Sequence, residues 1–492
     1  MKNSLVLFNQ DMTILIKDKY IKEKGSGYDN NLINQASNKI DISGIEVRPG
    51  WVDSHLHMPG KLLYEIYGVD LQNIIDFNEC LRVIRKESEG KKWLRGFGWS
   101  AEIFKGDKLK EVIEYINKLE SYVVLFSDDY HSCIINNKIA NKLNINKNII
   151  KESEIFKLLS VLEELSFSEE EIESAILEYQ DRLLRYGITC IQTLMFLGGN
   201  GDKEYKVLHK IDKERKLKLK VNIALTVQGY DDLSLIEDRY IKLKQYESEH
   251  IKLNTIKIYT DGVLENYTAY LSDNYKNKAS RGYTSWNEEI LNEFCKDIDK
   301  KGRQIHIHAI GDMGVKLGVR ALKYAMDTNK SIGKNRHVIT HIQLADKEDI
   351  ELIKEYKIIA NIQPYWFGQS KEERMISEMY IGDRIDREYP SRSLRGTIIA
   401  CSSDSPVTEI NNPLIGIRMG ANRYYEGERL EIGELVDGFT TNGAYQLFRE
   451  NEISKIDVGY KADILGYIGN ELKFVITDGE IVYVKSIGEG ND

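Results

Sequence analysis

Over residues 171–404 the chain alternates short apolar runs with helix-patterned stretches, and no other feature constrains its fold as much. EEIESAILEYQDRLLRYG has helical apolar spacing, stops at Gly187 as at a helix C-cap, and feeds the strand-like ITCIQTL. VNIALTV (221–227), TIKIYTDG (255–262), RQIHIHAIG (303–311), HVITHI (337–342), IIANIQP (358–364) and TIIACSSD (397–404) follow. Segments such as EEILNEFCKDIDKKG and KEDIELIKEYK fill most intervals with a helical period. With PGWVDSHLH at 49–57 the strands number eight. Eight strand–helix units predict an α/β fold, a closed parallel (β/α)8 TIM barrel. No glycine-rich phosphate loop follows the first strand, which disfavours an open nucleotide-binding sheet.

The barrel is expected over 49–430, with an insertion after strand one at about 60–170. That insertion holds the helix-like KLKEVIEYINKLE, the strand-like YVVLFS (122–127) and an aromatic run from Trp93 to Trp99. Residues 1–48 read as short strands with turns, and KFVIT and EIVYV near the other end read the same way. The two chain ends, 1–48 and 431–492, are therefore expected to pair into one small composite β-sandwich.

Composition narrows the partners. A hydrophobic share of 42% and a charged share of 29% suit a soluble enzyme with a sizeable core. A net charge of −9 argues against nucleic acid or an anionic membrane and leaves a small-molecule substrate, with a homodimer open as the assembly. No apolar run approaches the ~20 residues of a membrane span, and the start lacks a secretory pattern. Cys80, Cys133, Cys190, Cys295 and Cys401 form no Cys-x-x-Cys pair, so a reduced, cytoplasmic setting is expected.

Six of the 9 histidines fall in three close pairs, His55/His57, His306/His308 and His337/His341. On a regular strand His55 and His57 share one face, opposite Val52, Ser54 and Leu56. Catalytic groups of such barrels sit at the C-terminal strand ends. There the sequence offers His55 and His57, Lys257, His308, His341 and Asp404, with His306 one layer deeper than His308. Imidazoles and a carboxylate suit zinc, although iron, manganese and nickel stay open. An ammonium beside cations is out of place, but a neutral lysine that captures carbon dioxide becomes a carbamate able to bridge two metals. Each residue alone has a plainer reading: His308 as a buried core histidine, Lys257 in a salt bridge to Asp261 or another rim carboxylate, Asp404 as a turn or cap residue before Pro406. Their joint placement on five strands favours the metal site.

These motifs, PGWVDSHLH, the lysine of KIYTDG, HAIGD, the histidine of VITHIQ and SSDSPV, resemble the metal-dependent amidohydrolase superfamily. More narrowly they are similar to its amidohydrolase-3 branch, the YtcJ-like enzymes that include N-substituted formamide deformylase. The resemblance runs nearly end to end, to GYKADI and DGEIVYV, and DDYHSCIINNKIA (128–140) is similar to a segment of that branch's insertion. It implies a TIM barrel with a small β-sandwich and one or two divalent ions. His55 and His57 would hold the first, His308 and His341 the second, a carboxylated Lys257 would bridge, and Asp404 would bind the first and handle the proton. The chain departs from the branch near the substrate: Tyr267 stands where an arginine is common, Thr340 replaces a glutamate, and Tyr365-Trp366 replaces a histidine segment.

The expected reaction is hydrolysis of an amide-type, non-peptide C–N bond by a metal-activated hydroxide, with Asp404 as proton shuttle. His131, from the insertion, is a candidate for binding the carbonyl oxygen or positioning the substrate, with a surface role as its plainer reading. Trp99, Tyr267, Tyr365 and Trp366 are candidates for an aromatic pocket wall. The alternatives are a mononuclear deaminase or cyclic-amide hydrolase, for which Lys257 is dispensable, and a catalytically idle binding barrel.

Overall fold

Eight parallel strands form one sheet whose neighbours follow chain order. They are Trp51–Leu56, Ile188–Thr193, Lys220–Val227, Ile251–Tyr259, Gln304–Ala309, Val338–His341, Ile359–Ile362 and Ile399–Cys401, here strands one to eight. Beyond the last ladder pair, Asp404 N–H donates to His55 O at 2.9 Å and His57 N–H donates to Ser405 O at 2.8 Å. Strand eight thus meets strand one, and the sheet is nearly closed as the expected barrel. The computed structural model describes residues 4–485 except 61, 73, 100–102, 105, 128–131, 152–153, 156–157, 159–166, 195–201 and 409–410. The chain splits into two compact units, Met1–His57 with Gln180–Leu194 and Glu214–Asp492, and Met58–Tyr179 with Met195–Lys213.

Local chemistry explains the barrel elements. Strand five is buried along its whole length, as a strand covered on both faces must be. The helix Glu288–Lys300 before it starts at Asn287, whose side chain accepts from the Glu289 and Ile290 N–H groups, and buries Leu291, Phe294, Cys295 and Ile298. The helix Asp312–Asn329 after it needs Gly314, because a Cβ there would lie 2.4 Å from Asp261 Oδ2. That close approach lets Asp261 accept N–H groups from Tyr270, Ile310 and Gly311 where strand five turns into its helix.

The chain ends build two four-stranded sheets in the same unit. One holds Ser4–Phe8, Met12–Lys17, Tyr20–Ser26 and Asn38–Asp41; the other holds Glu46–Pro49, Ile464–Ile468, Glu471–Thr477 and Glu480–Val484. Leu5, Leu7, Ile14 and Ile16 of the first share one apolar core with Ile464, Phe474 and Ile476 of the second. The helices Ile432–Gly438 and Thr441–Gln446 belong with the barrel: Ala444 and Leu447 pack on Val52 and Cys190 of strands one and two.

The second unit has its own five-stranded sheet, in the order Ile149–Lys151, Ser132–Ile135, Tyr122–Ser127, Trp93–Trp99, Val69–Asp70. Its core includes Leu71, Ile84, Leu94, Trp99, Phe104, Val123 and Leu125. Among the described residues no helix is long and apolar enough to cross a membrane.

Candidate metal centre

Strand one carries one residue more than strand two between Asp53, opposite Ile191, and Leu56, opposite Thr193. Regular alternation fails at such an irregularity. Ser54, expected to face away from His55, instead donates its hydroxyl to Cys401 O at 3.0 Å and accepts from Asn361 Nδ2 at 2.9 Å. His55 and His57 still converge: their Nε2 atoms lie 3.1 and 3.2 Å from Asp404 Oδ1. The His341 ring centre is 5.2 Å from that of His55 and 4.6 Å from that of His308. One ligand atom from each of His55, His341 and Asp404 lies within 4.8 Å of the others. Among the described residues, Asp404 Oδ1 is buried and makes no aligned hydrogen bond despite the two nearby imidazole nitrogens. Donor atoms gathered in this way around a shared point suit a divalent cation.

The electrostatics agree. Burial, then neighbouring positive charge, pushes the imidazoles of His55, His306 and His341 well below their usual pKa, so they stand neutral, the state in which they ligate metal. Burial alone would raise the Asp404 carboxyl, but contact with His57, with a further pull from the neighbouring basic groups, holds it below its ordinary value. Lys257 is fully buried, its Nζ has no hydrogen-bond partner among the described residues, and burial lowers its pKa to about 7, against a smaller opposing pull from Asp404. Its salt bridge to Asp261 does not form, because Asp261 is occupied by backbone N–H groups. His308 turns Nε2 to Gly262 O at 3.1 Å. His341 and Asp404 take left-handed backbone angles, φ 74° and 57°, at a cost of about 1–3 kcal/mol each. Strain tolerated at two candidate ligands is what a functional site predicts.

The aromatic candidates divide. Trp366 lies flat on His341, with ring centres 5.1 Å apart and planes 8° from parallel, while its indole N–H donates to Thr408 Oγ1. Tyr267 packs edge-on against Tyr275 and Tyr380, in an apolar cluster that Trp366 also borders. Tyr365, expected in the pocket wall, is instead a core residue: its ring abuts Gly416 and Phe439, and its hydroxyl is buried without a partner among the described residues. Trp99 is likewise committed to the core of the second unit, its ring against Phe104 and its indole N–H donating to Leu125 O. Both sit on strand-like segments, where periodicity shows burial but not which cavity a ring faces. His131 lies outside the described residues.

Sequence reading missed the support beneath the ligands. His306 Nε2 lies 2.9 Å from His55 Nδ1, and Gln363 Oε1 lies 2.8 Å from His341 Nδ1. The only sequence signal was the position of His306, two residues before His308 on an inward face.

The family model described as Amidohydrolase family, Amidohydro_3, matches residues 39–483. The chain is 23% identical to the putative amidohydrolase YtcJ of Bacillus subtilis (strain 168) over 503 aligned residues, covering 91% of each. It is 22% identical to the protein LONG AFTER FAR-RED 3 of Arabidopsis thaliana, covering 88% of this chain and 79% of that one. Among solved structures, an uncharacterized metal-dependent hydrolase from Pyrococcus furiosus superposes with a TM-score of 0.74 at 22% identity, over 95% of this chain and 98% of that one. That likeness bears out the barrel with its terminal sheets.

Proposed function

We propose, from the premise that this chain belongs to the amidohydrolase family, that it hydrolyses an amide-type C–N bond of a small molecule with zinc as its metal. The observation that carries this reading is Lys257: a buried amine with no hydrogen-bond partner among the described residues and a pKa of about 7, beside a cluster of neutral imidazoles and one carboxylate. An isolated buried ammonium is costly, whereas a neutral amine there can react. Its nitrogen would bond to the carbon of carbon dioxide as one C=O electron pair moves to oxygen and the amine proton leaves to water. The resulting carbamate would supply an anion able to hold metal.

His55, His57 and Asp404 would hold one ion, His308 and His341 a second, and Lys257 as its carbamate both. A bound divalent ion supplies Lewis acidity, lowering the pKa of water to ~7 and polarising a carbonyl. Asp404, held ionised, accepts the proton of the attacking water and returns it to the leaving nitrogen. Trp366, half-buried, offers an aromatic surface beside His341 for the apolar part of the substrate.

Metal analysis of the purified protein, with labelled bicarbonate followed by carbon NMR, tests this directly. Two ions per chain and a carbamate signal that disappears in Lys257→Ala, together with hydrolysis of N-formyl or N-acyl amines, are expected. One ion and a fully active Lys257→Ala would instead establish a mononuclear deaminase or cyclic-amide hydrolase. The observation favouring that second reading is that His55, His341 and Asp404 already lie within one ion's reach.

A further inference from the structure

Below the candidate ligands lies a closed network of amide and hydroxyl side chains, including Ser54, Gln192, Gln304, Asn361, Gln363 and Gln446, all fully or almost fully buried. Its hydrogen bonds have only one consistent direction, because several end on backbone carbonyls, which accept and never donate. Gln304 Nε2 donates to Arg336 O at 2.8 Å and Gln446 O at 2.9 Å. Its Oε1 therefore faces Thr255, whose hydroxyl donates to it at 2.8 Å, with Asn254 Oδ1 a second acceptor at 3.1 Å. With its proton so used, Thr255 Oγ1 accepts from Gln192 Nε2 at 3.1 Å. Gln192 Oε1 is thereby turned the other way. A second anchor agrees: Gln446 Nε2 donates to Ser54 O at 2.8 Å and to Gln192 Oε1 at 3.0 Å.

Gln192 Oε1 lies 3.1 Å from His306 Nδ1, so that nitrogen carries the proton. In a neutral imidazole Nε2 of His306 is then an acceptor, and it takes the Nδ1–H of His55 at 2.9 Å. His55 Nε2 is left with a lone pair, 3.1 Å from the acceptor oxygen of Asp404. Two acceptors facing each other with no proton between them are stable only around a cation.

The other branch ends in the same way. Ser54 donates to Cys401 O, so its oxygen accepts from Asn361 Nδ2, which also donates to Gln446 Oε1 at 2.9 Å. Asn361 Oδ1 in turn accepts from Thr340, Ser402 and Gln363 Nε2 at 3.0, 2.7 and 3.0 Å. Gln363 Oε1 must then face His341, accepting its Nδ1–H at 2.8 Å and leaving Nε2 of His341 with the lone pair.

We infer that Gln192 with His306, and Gln363, are positioning residues that hold His55 and His341 in the tautomer protonated on Nδ1, so that each presents Nε2 to the candidate metal centre. The purpose assigned here rests on the metal reading above; the proton placement stands on hydrogen-bond direction among fully or almost fully buried, neutral imidazoles. Partners of this kind typically change metal affinity by about 10–100-fold when removed, because they orient the ring and select the ligating nitrogen.

Nitrogen-labelled histidine in the full chain, observed by NMR with and without zinc, reports which ring nitrogen is protonated, and the 9 histidines keep the spectrum assignable. Nδ1–H forms of His55 and His341 are expected before zinc is added. Gln363→Met should release His341 from that tautomer and weaken zinc binding, measured by chelator competition, by about 10–100-fold, and Gln363→Glu, which keeps an acceptor, should restore both. Gln192→Met should do the same through His306 to His55. Nε2–H forms in the wild type, or unchanged tautomers and zinc affinity in both methionine variants, would overturn the inference. Fixed Nδ1–H tautomers in a wild-type chain that takes up no zinc would support the relay while overturning the metal reading.

Discussion

Strands three and four each bury a lysine completely, and the two are treated in opposite ways. Lys220, first on strand three, places Nζ 2.5 Å from Asp463 Oδ1 and 2.9 Å from Asp478 Oδ1, carboxylates on segments flanking the sheet of the terminal domain. Burial would lower its pKa, but the two carboxylates overcome that and raise it. Lys257, near the other end of strand four, has no hydrogen-bond partner among the described residues, and burial lowers its pKa to about 7. Equal burial therefore yields a permanent cation at one end of the barrel and a reactive amine at the other. The paired lysine serves architecture; the unpaired one marks a site the fold leaves unsatisfied.

If the two ends differ in this way, substitutions at the rim should act on chemistry and substitutions at the base on stability. The largest effect is expected at Asp404. Asp404→Asn should lower kcat/KM by about 10²–10⁴-fold towards whichever N-acyl amine the wild type hydrolyses, with an unchanged urea midpoint; full activity would remove Asp404 from the chemistry. Next comes Lys220→Met, which strands two carboxylates and should cost about 3–5 kcal/mol in urea unfolding while leaving kcat intact. A Lys220→Met protein as stable as wild type would break the contrast from the architectural side.

The smallest and most discriminating effect is in pH dependence, read on protein stripped of metal and carbon dioxide. The folded pKa of Lys257, about 7, lies below its ordinary value of 10.5, so between those pH values the unfolded chain binds the extra proton. Stability from this group must then rise with pH across that window. Lys257→Met should therefore be the more stable protein at and below pH 7, with its advantage shrinking towards pH 10.5. Lys220 has the opposite sign: its raised folded pKa gives stability that is complete below 10.5 and lost as pH rises through the folded value. A stability difference between wild type and Lys257→Met that is flat with pH would show that Lys257 is not a buried, unpaired amine.

Much of the site was legible because its residues carry distinctive chemistry at strand ends: paired histidines, a lysine on an apolar strand, an aspartate after TIIACSS. The facing of Ser54 was misread, because an extra residue in strand one has no local signature and shows only in the register against strand two. Trp99 and Tyr365 were misassigned because an aromatic ring buries equally well in a core or a pocket. The supporting network stayed hidden for a simpler reason. Glutamines, asparagines and hydroxyl residues are common, and nothing near Gln192, Gln363 or Gln446 in the chain indicates which imidazole each will face.

The strand–helix rhythm, the closure into eight units and the residues able to ligate metal follow from the sequence alone, since periodicity and side-chain chemistry are local properties. Only the tertiary structure decided which buried lysine meets carboxylates and which meets none. It also decided which nitrogen of each imidazole is left for a cation, because both depend on partners drawn from distant parts of the chain, such as Asp463 for Lys220 and Gln192 and Gln446 for the His306–His55 pair.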